Sequence, residues 1–271
     1  MIDTHCHLTF PDFAGQIDET LREAADAGVW GCISISTTSR DCLDALRVAQ
    51  AHDNVWCTAG VHPLYSGKGP HDWQAVRNVA EDERCVAWGE LGLDNHYDKP
   101  PRDTQRAVLA EQLAFIESCA HDGIDKPVVL HCREAFDDLI PILRASSLDP
   151  ARMVFHCFTG GPDDARAVLD LGAMISFTGV VTYRNAREVA EAARLVPGDR
   201  IMVETDSPFL SPEPVRGTRP CRPAFVVHTA RFLAELRGST FGDFDRQTDA
   251  NAQRFFSIER PAPPAPAGAS A

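Results

Sequence analysis

The sequence of 271 residues contains very little lysine and no apolar run long enough to cross a bilayer. Lysine occurs only at positions 68, 99 and 126, so arginine supplies nearly all of the positive charge. The N-terminal stretch MIDTHCHLTF is too short and too polar for a secretory signal peptide. These absences predict a cytoplasmic protein that makes no use of a membrane.

No CxxC pair occurs among the nine cysteines, whose odd number and scattered positions do not suit a disulfide framework. We expect them to be reduced thiols in a reducing compartment. The formal net charge of -13 repels polyanions and argues against a general nucleic-acid coat protein. It does not exclude an enzyme that acts on nucleic acid through bound metal ions and a few arginines.

Short apolar segments rich in β-branched and aromatic residues alternate with longer amphipathic ones. The short segments predict buried parallel strands at 1–4, 31–36, 55–60, 85–91, 127–130, 153–155, 173–177 and 200–203. Helices are predicted at about 14–27, 39–51, 73–81, 102–121, 134–144, 162–171 and 186–195. This alternation predicts an α/β fold of the (β/α)8 TIM-barrel type. A doubly wound open sheet is the alternative, but the glycine-rich phosphate turn expected of it is missing.

Residues 1–258 are predicted to form one barrel domain, followed by a disordered Pro/Ala-rich tail over residues 259–271. Ser39 is a candidate N-cap for the second helix, and Gly28 and Gly172 lie where helices should end. Nothing in the sequence sets the oligomeric state, and a monomer is favoured.

Histidines and carboxylates recur where the apolar segments end. In a barrel the carboxyl ends of the strands meet at one rim, where such side chains converge. His5 and His7 are two residues apart, so a strand turns both imidazoles to the same side. The candidate metal ligands are His5, His7, Glu90, His131, His156 and Asp206.

Four imidazoles and two carboxylates exceed the three protein ligands usual for one catalytic zinc ion, so the set predicts two divalent ions. Nitrogen-rich ligands suit Zn²⁺, Mn²⁺ or Fe²⁺ better than Mg²⁺, although magnesium stays a candidate. The neighbouring Cys6, Cys132 and Cys157 should point to the opposite face by strand alternation and act as packing residues.

With these residues identified, the sequence resembles the TatD family of metal-dependent hydrolases, within the wider amidohydrolase-like barrels. The matching segments lie in family order between residue 2 and about residue 257. They are IDTHCHL from residue 2, GVHP from 60, GELGLD from 89, HCREA from 131, HCFTG from 156 and VETDSP from 203.

The resemblance implies a deoxyribonuclease that hydrolyses phosphodiesters, with DNA as substrate and two metal ions as cofactors. It implies that His5, His7 and Asp206 hold one ion and that His131 and His156 hold the other. Glu90 would bridge the two ions, and Asp206 would position or deprotonate the attacking water. Glu90 and Asp206 are therefore the predicted catalytic residues.

Substrate contacts are predicted for Arg133, Arg216 and His62, because a guanidinium offers two parallel donors to phosphate oxygens and His62 follows the third strand. Stacking on bases is considered for four aromatic residues, Tyr65, Phe158, Phe177 and Tyr183, although buried packing is the favoured interpretation of Phe177. The chain departs from the family at Cys221 and Arg222, where Asn and Glu are usual, in a loop expected on the catalytic rim.

Two alternatives to a nuclease stay open. The same metal site would also serve an amidase, a lactonase or an aminoacyl-tRNA deacylase, because fold and ligands do not determine the reaction. No lysine lies at a strand end near the ligands, which argues against the subclass with a carboxylated lysine. A binding protein that retains structural metals is the other alternative, and a complete set of ligands argues against it.

Overall fold

Eight parallel strands, each paired with the next one along the chain, form a single sheet in a computed structural model that describes residues 1–261. The strands are β1 (Ile2–Cys6), β2 (Gly31–Ser34), β3 (Val55–Ala59), β4 (Cys85–Asp94), β5 (Val128–Arg133), β6 (Met153–Phe155), β7 (Met174–Phe177) and β8 (Ile201–Val203). Every predicted strand is present. The largest differences are at β4 and β5, each of which continues three residues past its predicted end, at Leu91 and Leu130.

The sheet curves until its first and last strands meet at their carboxyl ends. Cys6 and Ser207 form a parallel bridge there. The His7 amide donates to the Ser207 carbonyl at 2.8 Å, and the Asp206 amide donates to the His5 carbonyl at 2.9 Å. These bonds join the end of β1 to the chain that leaves β8, and they confirm the predicted (β/α)8 barrel.

Helices follow the strands and cover the barrel. They are α1 (Ile17–Asp26), α2 (Asp41–Ala51), α3 (Trp73–Ala80), α4 (Arg102–His121), α5 (Phe136–Ala145), α6 (Pro162–Leu171), α7 (Arg187–Leu195), α8 (Val226–Leu236) and α9 (Phe241–Phe256). A large buried cluster packs them against the strands. A second cluster joins inward side chains such as Ile33, Val129 and Met202 to Phe256 at the end of α9, which closes the amino-terminal end of the barrel.

Two of the predicted helix ends are confirmed and one predicted cap is wrong. Gly172 follows α6 with φ of 103°, and Gly28 follows α1 with φ of 90°, as expected of glycines that stop helices. Ser39 does not cap α2, because its hydroxyl accepts from the Asp72 amide at 2.9 Å. The Thr38 hydroxyl accepts the Asp41 amide instead, at 3.0 Å.

Within residues 1–261, no helix combines the length and the apolar character that a membrane span requires. The predicted tail begins inside this range at residue 259, but residues 262–271 lie outside the described part of the chain.

Candidate metal centre

The six candidate ligands converge at the carboxyl end of the barrel. His5 lies in β1, Glu90 in β4 and His131 in β5, while His7 follows β1 directly and His156 follows β6. Asp206 follows β8 by three residues and has a positive φ of 57°. His5, His7, Glu90 and His156 are buried, and the other two are partly exposed. The structure therefore brings together all six residues that the sequence singles out.

Glu90 lies at the centre of this cluster, with one carboxylate oxygen directed to each side. Its Oε1 atom is 2.8 Å from His131 Nδ1 and 2.6 Å from His156 Nε2. Its Oε2 atom is 3.3 Å from His5 Nε2. On the far side of His5, Asp206 Oδ1 lies 3.2 Å from His7 Nε2 and 3.6 Å from His5 Nε2. A single carboxylate thus separates two groups of nitrogen and oxygen donors.

Glu90 reaches this position because β4 is irregular at its middle. The pairing of β4 with β5 shifts register between Trp88 and Leu91. Gly89 has φ of 139° and Gly92 has φ of 147°, conformations that side chains rarely adopt. The two glycines bracket Glu90 and let the strand turn its carboxylate into the barrel while continuing to Asp94.

Three of the imidazoles are oriented by partners outside the cluster. His7 Nδ1 faces the Ile35 carbonyl at 3.1 Å, His131 Nε2 faces Asp94 Oδ2 at 3.0 Å, and His156 Nδ1 faces Glu204 Oε1 at 3.3 Å. Such outer partners fix the tautomer and the direction of a histidine that binds metal.

Asp94 and Glu204 are site residues that the ends of the predicted strands do not reveal. Asp94 lies four residues after Glu90 in the GELGLD segment, and Glu204 lies two residues before Asp206 in the VETDSP segment, which was the available signal.

Asp3 and Thr205 form a second pair that the sequence does not reveal. The Thr205 amide and hydroxyl donate to the Asp3 carboxylate at 2.8 and 2.6 Å, which ties the chain next to Asp206 to β1.

His62 lies beside the cluster and faces it with its Nε2 atom. This atom is 3.4 Å from Glu90 Oε1 and 3.1 Å from His131 Nδ1. Its Nδ1 atom accepts the Leu64 amide at 3.0 Å. In the neutral ring the proton is therefore on Nε2, and a protonated nitrogen donates a hydrogen bond but does not bind a metal. The geometry of His62 therefore suits a hydrogen-bond donor to the substrate better than a metal ligand.

The charges in the cluster favour cations. Burial alone would raise the pKa of the Glu90 carboxyl, but the His156 and His62 imidazoles outweigh burial and hold that pKa well below its usual range. Burial lowers the pKa of His62 to about 4, against the pull of Glu90. Burial alone would lower the pKa of His156, but the charge of Glu90 and the hydrogen bond to Glu204 outweigh burial and raise it well above its usual range. The cluster therefore keeps an ionised carboxylate among imidazoles, an arrangement that attracts protons and divalent ions to the same atoms.

The donor atoms fit divalent metal ions. His5 Nδ1, His5 Nε2 and Glu90 Oε2 are buried and have no hydrogen-bond partner among the described residues. Ligand atoms lie within 4.8 Å of one another in the groups His5–His7–Asp206 and His5–His156–Glu204. Glu90 and His131 form a third such group with His62, whose protonated Nε2 is a donor there and not a ligand. A cation would satisfy the unpaired atoms that otherwise cost free energy in the interior.

A cavity of about 700 Å³ opens onto the cluster. Arg133 and His62 line this cavity, together with His7, Glu90, His131, His156 and Asp206. The Arg216 guanidinium instead lies 3.9 Å from the centre of the Tyr183 ring and 3.8 Å from Glu213, and Arg216 does not line the cavity.

Of the four aromatic residues considered for stacking, only Tyr65 lines the cavity. Phe158 is 1% exposed and belongs to the core, so the stacking hypothesis for Phe158 is wrong. Phe177 is buried in the same way. The unusual Cys221 is also buried, and Arg222 pairs with Glu23 of α1 at 2.7 Å. The Cys221 amide donates to the Pro208 carbonyl at 2.9 Å, in the turn after Asp206, but neither Cys221 nor Arg222 lines the cavity.

Of the three cysteines next to histidines, Cys6 packs away from the cluster, as predicted: it is fully buried and its thiol donates to the Ile33 carbonyl at 3.4 Å. Cys132 is buried in the core cluster, as expected of a packing residue, but it also borders the cavity. The prediction for Cys157 is wrong. β6 ends at Phe155, so strand alternation no longer holds at Cys157, which has φ of 43° and lines the cavity.

Serine at Cys6, Cys132 or Cys157 should leave the number of bound metal ions unchanged. Burial raises the pKa of the Cys157 thiol well above its usual range, and Cys157 belongs to none of the groups of ligand atoms that lie together among the described residues. We expect a stability loss of about 1–3 kcal/mol at Cys6 and Cys132, where a hydroxyl replaces a buried thiol. Elemental analysis and chemical denaturation measure the two effects. Loss of an ion from any of the three variants would contradict this assignment.

Comparison with known proteins agrees with the site. A family model described as TatD-related DNase matches residues 2–257. The chain belongs to the TatD family of metal-dependent hydrolases. It is 38% identical to the uncharacterized metal-dependent hydrolase YcfH of Escherichia coli K12 over 96% of each chain. It is also 35% identical to the 3'-5' ssDNA/RNA exonuclease TatD of Erwinia tasmaniensis, covering 95% of this chain and 100% of that protein.

Solved structures of TatD relatives share the barrel. The TatD homologue YJJV of Escherichia coli K12 superimposes with a TM-score of 0.87 at 30% identity, covering 96% of this chain and 98% of that one. An amidohydrolase from Saccharomyces cerevisiae superimposes with a TM-score of 0.79 at 17% identity, covering 94% of this chain and 100% of that one, a likeness of fold alone. The TatD chain described here is thus a metal-dependent hydrolase on an amidohydrolase-like TIM barrel.

Proposed function

We propose that this TatD-family hydrolase is a two-metal phosphodiesterase that removes nucleotides from the 3′ end of DNA in the cytoplasm. The observation that carries the proposal is the Glu90 carboxylate, whose two oxygens face separate groups of donors. The exonuclease named among its relatives, at 35% identity over nearly the full length, supports DNA as the substrate.

In this proposal His5, His7 and Asp206 would hold one ion, His131 and His156 would hold the other, and Glu90 would be shared by both. Zinc, manganese and magnesium are the candidate ions, and the four imidazoles favour the first two. Bound divalent ions supply an activated water at neutral pH and stabilise negative charge on phosphate oxygens.

Asp206 is the carboxylate that positions the attacking water and takes its proton. Burial alone would raise the pKa of Asp206, but the hydrogen bond from His7 and the charge of His5 outweigh burial and lower it. Asp206 is therefore ionised at neutral pH and able to accept a hydrogen bond from water. His62 Nε2 carries a proton on the opposite side of the cluster and donates to a phosphate oxygen of the substrate.

A single-stranded oligonucleotide labelled at its 5′ end tests the proposal. Metal-loaded protein should shorten it stepwise from the 3′ end, and a circular oligonucleotide of the same sequence should resist because it has no end. Chelator-treated protein is the matched control. Hydrolysis of p-nitrophenyl acetate with no cleavage of either oligonucleotide would instead favour the esterase alternative. Cleavage of the circle would overturn the exonuclease assignment.

Arg133→Ala should lower turnover on DNA by about ten- to a hundredfold while leaving metal content intact. Arg133 ends β5 and lines the cavity, and no carboxylate within residues 1–261 lies at ion-pairing distance from its guanidinium. A hydrogen bond from a charged donor contributes about 1.5–3 kcal/mol. Steady-state kinetics with elemental analysis measure the effect.

Arg166→Ala is the control, since Arg166 is exposed on α6 and pairs with Asp163. Arg216→Ala should also lower turnover on DNA, but by a smaller factor than Arg133→Ala, because Arg216 contacts Tyr183 outside the cavity. If both Arg133→Ala and Arg216→Ala cleave DNA at the rate of the parent protein, the predicted contacts of these arginines with phosphate are wrong.

A further inference from the structure

Large apolar side chains that are exposed to solvent have an uneven distribution over the described residues. Four are more than one-third exposed: Leu43 37%, Tyr97 47%, Leu195 44% and Phe209 45%. The two leucines lie on the outer helices α2 and α7. The two aromatic residues both line the cavity over the metal centre. Exposed aromatic rings beside a functional cavity indicate a surface that binds a ligand.

Phe209 is held next to the ligand group that contains His7 and Asp206. Its amide donates to the Asp206 carbonyl at 3.0 Å, which fixes the turn that carries its side chain. Its ring lies edge-on to Phe10, with centroids 5.9 Å apart at 81°. Phe10 in turn stacks on the His7 imidazole at 4.7 Å and 23°. The Phe209 ring is therefore positioned by neighbours that are themselves fixed, while nearly half of it stays exposed.

The opposite wall of the cavity has a different character. The Arg133 guanidinium lies 5.2 Å from the centre of the Tyr97 ring. Arg133 thus supplies a cationic group to the wall formed after β4 and β5, where Tyr97 and Glu134 also lie, and Phe10 and Phe209 give the wall after β1 and β8 an apolar character.

We infer that Phe209, supported by Phe10, is a stacking platform for a nucleobase of the substrate, on the side of the metal centre opposite to Arg133. This inference rests on the proposed phosphodiesterase function. A nucleotide presents an anionic phosphate and a flat apolar base, and the two walls offer one surface for each. Aromatic stacking is tolerant of sequence because every base has a π-face. The site should therefore bind all four bases without strong selectivity.

Binding of the mononucleotide dAMP and of 2-deoxyribose 5-phosphate to metal-loaded protein, measured by calorimetry, tests the inference. The two probes share the phosphate and the sugar and differ in the base. Phe209→Ala should lower the affinity for dAMP about tenfold and leave the affinity for the sugar phosphate unchanged. Phe209→Trp should keep dAMP affinity, whereas Phe209→Leu should lose most of it. Leu195→Ala removes an equally exposed apolar side chain far from the cavity and should change neither affinity.

The inference is overturned if the parent protein binds both probes equally, or if Phe209→Ala weakens both equally. Loss of metal from Phe209→Ala, measured by elemental analysis, would also overturn it, because Phe209 would then support His7 and not a base. If the parent cleaves DNA but dAMP binds no better than the sugar phosphate, only the stacking platform fails. If the parent neither cleaves DNA nor binds dAMP, the proposed function fails with it.

Discussion

Glu90→Gln is expected to lose both metal ions and all measurable hydrolysis together. The variant keeps the size of the side chain but removes the negative charge that faces donors on both sides. Loss of an outer hydrogen-bonding partner of a metal ligand typically costs ten- to a hundredfold in metal affinity. Removal of a carboxylate shared by both ions should cost more, and it should affect both ions because Oε1 and Oε2 face different groups.

Asp94→Asn provides a graded control for Glu90→Gln. Asp94 Oδ2 lies 3.0 Å from His131 Nε2, and its Oδ1 accepts the His96 and Tyr97 amides at 3.0 and 3.2 Å. Among the six candidate ligands its side chain therefore contacts His131 alone. Replacement of Asp94 should lower the binding affinity for one ion by about ten- to a hundredfold and leave the other ion bound. Elemental analysis after gel filtration distinguishes the two variants. Two tightly held ions in Glu90→Gln would show that Glu90 does not bridge.

Gly92→Ala is expected to destabilise the fold by more than about 3 kcal/mol. This value is the sum of the cost of a strained backbone and the cost of an overpacked contact. A Cβ atom at Gly92 would lie 1.9 Å from the His131 carbonyl oxygen and 2.9 Å from its carbonyl carbon. Both are backbone atoms of the neighbouring strand, so no change of rotamer relieves the contact. The φ of 147° adds strain for any residue with a Cβ atom.

The matched control is Gly242→Ala in the first turn of α9. A Cβ atom there would lie 3.5 Å from the flexible end of Arg246, an ordinary contact. Alanine at this helical position should be neutral or stabilise by less than about 1 kcal/mol. Chemical denaturation of the metal-free proteins measures both changes. A Gly92→Ala protein with the stability of the parent would contradict the close packing of β4 on β5.

The sequence predicts the barrel well because its strands are buried on both faces and are separated by amphipathic helices. Boundaries are less well predicted. β4 extends to Asp94 because Gly89 and Gly92 allow an irregular strand to continue beyond Leu91, and an apolar run does not reveal this. The N-cap position of α2 is Arg40 and not Ser39, whose hydroxyl accepts the Asp72 amide, and the Thr38 hydroxyl accepts the amide of the first helical residue, Asp41.

All six candidate ligands could be found from the sequence, because each lies in or just beyond a recognisable strand. Features that depend on tertiary contact could not be found in this way. Cys157 departs from strand alternation because β6 is short. His62 is distinguished from a ligand only by the Leu64 amide at its Nδ1 atom. Phe209 gains a role only when the rim loops bring it beside Phe10 and His7.

Stepwise addition of Mn²⁺ to metal-free protein, with the rate of phosphodiester cleavage followed at each step, tests the central claim most directly. Two groups of donors joined by Glu90 predict a rate that rises to a plateau at two equivalents of metal per chain, with Glu90→Gln inactive throughout. A plateau at one equivalent, or undiminished cleavage by the metal-free protein, would contradict a two-metal phosphodiesterase.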